Sequence, residues 1–239
     1  MSEKESEYFN FVSRIQLVTS HSRSDTYYAY KNGKNDNVLY FVKGPFKDMS
    51  PINNFLTIQQ YKNSINIPYI DAECIYLYPD MWKTGTPIGL RNHLNRNIKY
   101  PFLVCKSLIG LESIVFRIHY SKLWPKTHVI DPIKTILHLT KNILYKEMNN
   151  VKINSILVQY YNLIAIRIKF GCSDLADRNF IINDDILYSI DEEIISKQMT
   201  KEDVLNELKI NRYEFIKSNL QKYIPYVKDE LKEYLFSVF

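Results

Sequence analysis

Cysteine is scarce in this chain and suited to no cross-link. The three residues, Cys74, Cys105 and Cys172, lie far apart and are odd in number. No C-x-x-C pair occurs, which excludes the ligand spacing of a zinc ribbon and the even framework of a small disulfide fold. Free thiols fit a reducing compartment, so the expected location is intracellular and cytoplasmic. Long hydrophobic runs are missing as well. A membrane span needs about 18 or more apolar residues in succession. The longest candidate, 153–170, is interrupted by Asn154, Gln159, Asn162, Arg167 and Lys169, and no transmembrane segment is expected. The opening residues, MSEKESEYFNF, are polar and acidic, unlike a signal peptide. Concentrated basic charge is also absent. The formal net charge is +5, but the lysines are scattered. A nucleic-acid footprint is a clustered basic face, so no sequence-specific nucleic-acid partner is expected.

What is present is apolar substance. Of 239 residues, 46% are hydrophobic, enough for one large domain or two small lobes with a packed core. Residues 1–10 read as a tail. Strand-like runs at 11–18 and 26–30 flank a small polar loop, 19–25. A third run, 37–43, follows a turn containing Asn32-Gly33, a strong short-range hairpin signal. Lys43 closes that run, directly before Gly44-Pro45. A lysine there either snorkels its ammonium to solvent or places a point charge in a cleft.

Residues 51–62 read as a helix. Pro51 suits its first turn, and Phe55, Ile58 and Tyr61 recur at helical spacing. Strand-like runs fill 65–78. Residues 81–96 hold Gly85, Pro87 and Gly89 and read as a connection between lobes. The segments 102–105 and 114–120 have strand character. After Trp124-Pro125 the pattern turns helical. Asp131 is a candidate N-cap with Pro132 behind it. Residues 154–170 form a helix apolar nearly all round, which predicts burial, and Gly171 stands where a C′ glycine would. Thr200 and Asp203 have capping-box spacing, and 201–238 read as two amphipathic helices separated near Pro225. The expected fold class is α+β. It comprises a strand-rich N-terminal lobe, 11–96, with an antiparallel sheet and one helix, and a hinge region with a mainly helical C-terminal lobe, 97–239.

The chemistry concentrates in 171–193, GCSDLADRNFIINDDILYSIDEE. Asp174 is followed by Asn179 and then by Asp191. Two short apolar runs flank Asn183-Asp184-Asp185, which reads as a tight turn. Such a hairpin would bring Asn179 and Asp191 together beside Asp174. Turn preference alone explains any one of these residues. As a set they offer hard oxygen ligands, which suit magnesium completed by phosphate. Cys172, beside them, reads as packing rather than as a nucleophile.

These residues resemble the protein-kinase-like superfold. The likeness is to its atypical branches: phosphatidylinositol 3/4-kinase-like enzymes, the actin-fragmin kinase type and aminoglycoside phosphotransferases. In kinases a catalytic-loop Asp is followed five residues later by an Asn and, further on, by a metal-binding Asp. Asp174, Asn179 and Asp191 match that order. The resemblance implies a bilobal fold and an ATP- and Mg2+-dependent phosphotransferase whose acceptor, a protein or lipid hydroxyl, is not specified. Asp174 would accept the proton of the attacking hydroxyl, Asn179 and Asp191 would hold magnesium, and Lys43 would pair with nucleotide phosphates. The loop around Ser22 and Ser24 would cover those phosphates, serines replacing the glycines of a G-x-G-x-x-G loop. Other departures are the absence of HRD and DFG and the ending Asp191-Glu192-Glu193, nearer the Asp-x-Glu of small-molecule phosphotransferases. The helix 51–62 has no glutamate, leaving Asp48, Gln60, Asp71 or Glu73 as candidate partners for Lys43. Asp177 rivals Asp174. A kinase-like module without catalysis, binding a nucleotide or a protein, is the alternative expectation. A structural protein with no nucleotide site is a third.

Overall fold

The computed structural model describes residues 16–17, 26–30, 39–78, 95, 97–106, 150–173, 175, 179–183, 186–190, 192, 194 and 197–239. They form two compact units, one within Met1–Leu56 and Ile70–Ile109, the other within Thr57–Tyr69 and Gly110–Phe239. The architecture is α+β, an antiparallel sheet in the N-terminal part followed by a mostly helical C-terminal part.

The first unit is built on strands β1 (Gln16–Leu17), β2 (Thr26–Tyr30), β3 (Leu39–Lys43), β4 (Ala72–Leu77) and β5 (Tyr100–Lys106). Their order is β1-β2-β3-β5-β4 and every pairing is antiparallel. Helix α1 (Ser50–Ser64) joins β3 to β4. The strand β5 lies between β3 and β4, and Phe102, Leu103, Val104 and Cys105 are all buried. That is why its sequence reads as an unbroken apolar run rather than an alternation. Because β5 pairs here, this unit extends beyond residue 96. In β4 alternation does hold at the end, with Ile75 and Leu77 inside and Tyr76 exposed. The register Tyr30↔Leu39 leaves 31–38 to connect β2 and β3, and the Asn32-Gly33 turn lies outside the described residues.

The strand-like reading of 65–71 gives way to a helix ending. Asn66 takes a left-handed φ of 55°. Its amide donates to Asn63 O (3.1 Å) and that of Ile67 to Lys62 O (2.9 Å). This pair of bonds is a Schellman motif, with Asn serving at C′. An apolar pattern cannot distinguish such a cap from a strand.

The second unit is organised on α2 (Asn150–Lys169), the helix expected over 154–170, which begins four residues earlier. Ile156, Leu157, Tyr160, Tyr161, Leu163–Ile166 and Ile168 are buried along it. Asn154, Gln159, Asn162, Arg167 and Lys169, polar positions along it, are docking points. Asn154 Oδ1 accepts from Tyr223 Oη (3.2 Å), and Gln159 Oε1 accepts from the Leu187 amide (2.8 Å). Asn162 Oδ1 accepts from the Lys228 amide (2.9 Å), and Lys169 Nζ donates to Tyr234 Oη (2.7 Å). Arg167 belongs to the site below. Gly171, with φ 62°, ends the helix as C′; its amide donates to Ile168 O and that of Cys172 to Arg167 O.

A hairpin follows, β6 (Phe180–Asn183) and β7 (Ile186–Ser189), in register Phe180↔Ser189 to Asn183↔Ile186. Helix α3 (Lys201–Tyr223) opens with the expected capping box: Thr200 accepts from the Asp203 amide and Asp203 accepts from the Thr200 amide. Lys209, at φ 60° and ψ 159°, breaks its regularity. A 3-10 turn over Ile224–Tyr226 contains Pro225 and leads to α4 (Asp229–Phe236). Among the described residues no helix is long and apolar enough to cross a membrane. The expected strand at 114–120 and the helix opening at Asp131 lie outside the described residues.

Candidate functional site

Lys43 and the hairpin belong to different units, so each has its own frame. Lys43 ends β3, opposite Thr26 and Leu103. It is 9% exposed, at odds with a stem that carries its ammonium out to solvent. The Cys105 thiol is pushed up to about 12, mainly by burial; the Lys43 charge pulls it down and the Asp71 charge pushes it up. Lys43 and Asp71 therefore both lie within electrostatic reach of one buried sulfur. Asp48, another proposed partner for Lys43, accepts from the Ser50 amide at 2.8 Å beside the start of α1. Ser22 and Ser24 lie outside the described residues.

In the helical unit the hairpin places Asn179 at its open end. The Ile190 amide donates to Asn179 O (2.8 Å), one residue before Asp191. Asn179 is 3% exposed. The Asn179 main chain is thus held at the end of β7, beside Ile190. Asp174, Asp177 and Asp191 lie outside the described residues, so their side chains are not part of the described geometry. The approach to residue 174 is described. Cys172 forms an antiparallel bridge with Ile194, which lays the end of the α2 loop alongside the chain leaving the hairpin.

Two buried cations hold this junction, and neither was singled out in the sequence. Arg167, in the last turn of α2, is fully buried. Its Nε donates to Ser189 Oγ (2.7 Å), its Nη1 to Ser173 O (3.2 Å) and its Nη2 to Ile190 O. The Phe180 ring lies over the guanidinium, 5.3 Å from Cζ. Lys62, near the end of α1, donates to Glu192 Oε2 at 2.7 Å, and both side chains are 0% exposed. Gln59, one turn earlier, donates to the same oxygen at 2.6 Å. Lys62 also reaches Ser189 O at 3.4 Å. Burial pushes the Lys62 ammonium below its ordinary value, while the Glu192 carboxylate draws it back up. Glu192 Oε1 is buried and has no hydrogen-bond partner among the described residues.

Cys172 is buried beside this cluster, and its thiol is pushed up to about 12, first by burial and then by Glu192. A thiol so protonated is inert as a nucleophile, in keeping with its reading as packing. The signal that could have exposed Arg167 was its place: a charge in the last turn of a helix apolar nearly all round, seven residues before Asp174. A buried cation must be satisfied by partners nearby.

No protein-family model matches the chain, and no curated protein matches it. Among solved structures it is similar to one described as a complex of Neurospora crassa PAN2 (WD40-CS1) with PAN3 (pseudokinase and C-term). The identity is 10% and the TM-score 0.39, covering 95% of this chain and 54% of the other. The chain thus spans about half the length of the solved chain it matches.

Proposed function

We propose that the chain is a kinase-like phosphotransferase that uses ATP and magnesium to phosphorylate a protein or lipid hydroxyl. The observation that carries this reading is the junction at the open end of the hairpin. Asn179, Ile190 and Ser173 are tied to one place by main-chain and guanidinium hydrogen bonds, and the chain enters Asp174 and Asp191 from two of these. The sheet supports it too. In protein kinases the phosphate-pairing lysine stands on the third strand, and Lys43 is the last residue of β3.

In this reading the oxygens of Asn179 and Asp191 hold Mg2+, a donor set that suits a hard cation. Mg2+ held there would supply neutralisation of the charge developing on the transferred phosphoryl group. Asp174 orients the acceptor hydroxyl and takes its proton as the oxygen bonds to the γ-phosphorus and ADP departs. The kinase resemblance would assign Lys43 to pair with phosphate oxygens and Ser22 and Ser24 to cover them.

A second reading has its own observation. The usual lysine partner is a glutamate on the helix after the third strand. Here that helix contributes Lys62, and the acid, Glu192, comes from beyond the hairpin. This reversal favours a module that binds a nucleotide or a protein without transferring phosphate.

Radiolabel transfer and thermal shift with ATP and MgCl2 separate the two. Phosphotransfer that Asp191→Ala abolishes supports the enzyme. Stabilisation by ATP without turnover selects the binding module. A protein that neither turns over nor is stabilised, with any divalent metal, refutes both.

A further inference from the structure

We propose that Arg167 is a positioning residue that sets the spacing between the two segments leading into Asp174 and Asp191. The proposal deepens the phosphotransferase reading and rests on it for its functional consequence. Nη1 holds the carbonyl of Ser173 and Nη2 that of Ile190. Each carbonyl belongs to the peptide unit whose nitrogen is that of the next residue, 174 or 191. The two nitrogens share one rigid plane, so one fork keeps both carbonyl oxygens within about 6 Å of each other.

The fork itself is held from every side. Its Nε is fixed by Ser189 Oγ. The Phe180 ring covers a face, and the Arg167 carbonyl is pinned by the Cys172 amide in the helix-ending motif. The side chain has no exposure, so water does not compete for these bonds. Lysine cannot replace this arrangement, because an ammonium is a point charge without two coplanar donors. An apolar residue would fill the volume without fixing either carbonyl. The Lys62–Glu192 pair anchors the chain on the far side of residue 191, so the segment is held both before and after that position.

The test is hydrogen exchange on full-length Arg167→Lys. Segments 172–175 and 190–192 should exchange at least about tenfold faster, both together, while the Leu187 amide on Gln159 keeps its wild-type protection. No change, a change in one segment only, or a parallel loss across the helical unit including Leu187 overturns the proposal. If Arg167→Lys does not fold, Ser189→Ala removes the Nε anchor and is judged on the same two segments. With ATP and MgCl2 as probes, the functional consequence is a kcat lowered at least about tenfold with KM for ATP within about threefold. A variant that keeps wild-type kcat despite faster exchange at both segments overturns the catalytic consequence. A wild-type protein that ignores ATP and MgCl2 refutes the phosphotransferase reading, while the exchange data still decide whether Arg167 is the brace.

Discussion

Replacing Lys62 by methionine isolates the energetics of the buried pair. Wild-type Lys62 and Glu192 are both 0% exposed and 2.7 Å apart. Removing one partner of such a pair leaves the other charge buried and typically costs about 3–5 kcal/mol. Glu192 would keep one donor, the neutral Gln59 amide at 2.6 Å. A hydrogen bond to a charged group contributes about 1.5–3 kcal/mol, and it is already present in the wild type. Its survival moderates the loss, which we place at about 3 kcal/mol. The reverse change, Glu192→Leu, leaves an ammonium with Ser189 O at 3.4 Å and should cost a similar amount. The double variant carries neither charge. Buried pairs replaced together by apolar residues are often near neutral, so the two losses should fall short of adding by about 2 kcal/mol or more. Urea unfolding at neutral pH, followed by circular dichroism, reads all four corners of the cycle. A Lys62→Met loss below about 1 kcal/mol, or strictly additive losses, would refute the claim that these side chains share one desolvated contact.

Further outcomes follow from backbone and caps. A Cβ on Gly44 would lie 2.6 Å from Phe102 Cδ1 and 2.9 Å from Cγ, at a φ of +149°. Phe102 is fully buried, so Gly44→Ala should cost about 2–3 kcal/mol in chemical denaturation. Gly171 and Asn66 hold the same cap position at φ 62° and 55°. Gly171→Ala should therefore lower stability by about 1–2 kcal/mol, whereas Asn66→Gly should leave it unchanged within about 0.5 kcal/mol, both read from Tm. Thr200→Ala should cost about 1 kcal/mol. Hydrogen bonds from the Thr200 amide and hydroxyl hold the Asp203 carboxyl below its ordinary value of 3.8. Its contribution is full above that value and is lost as pH falls through the lower folded one. The urea-midpoint gap between wild type and Asp203→Asn should therefore close on acidification, and a gap that persists at the lowest pH refutes the capping role.

The hairpin was legible because its signals are local: two apolar runs, turn residues between them and a glycine ending the helix before. The same holds for Thr200 and Asp203, whose bonding partners lie within one turn. The central helix was legible as buried, but Asn154, Gln159, Asn162, Arg167 and Lys169 read only as interruptions. Their long-range partners lie at positions 187, 189, 190, 223, 228 and 234, beyond the reach of any periodicity. The polar centre of the candidate site was the least legible part for the same reason. Lys62 and Glu192 are 130 residues apart. Sequence reasoning looked for an acid on α1 to serve Lys43 and found none. In the fold, α1 carries a buried base, and the acid arrives from the segment next to Asp191. The buried lysine and the buried glutamate are two sides of one electrostatic condition. A carboxylate buried at Glu192 needs a cation within hydrogen-bonding distance, and α1 supplies it from Lys62. A glutamate at that position of α1 would set two carboxylates against each other in a desolvated site. The base on α1 and the burial of Glu192 are thus coupled through one desolvated contact.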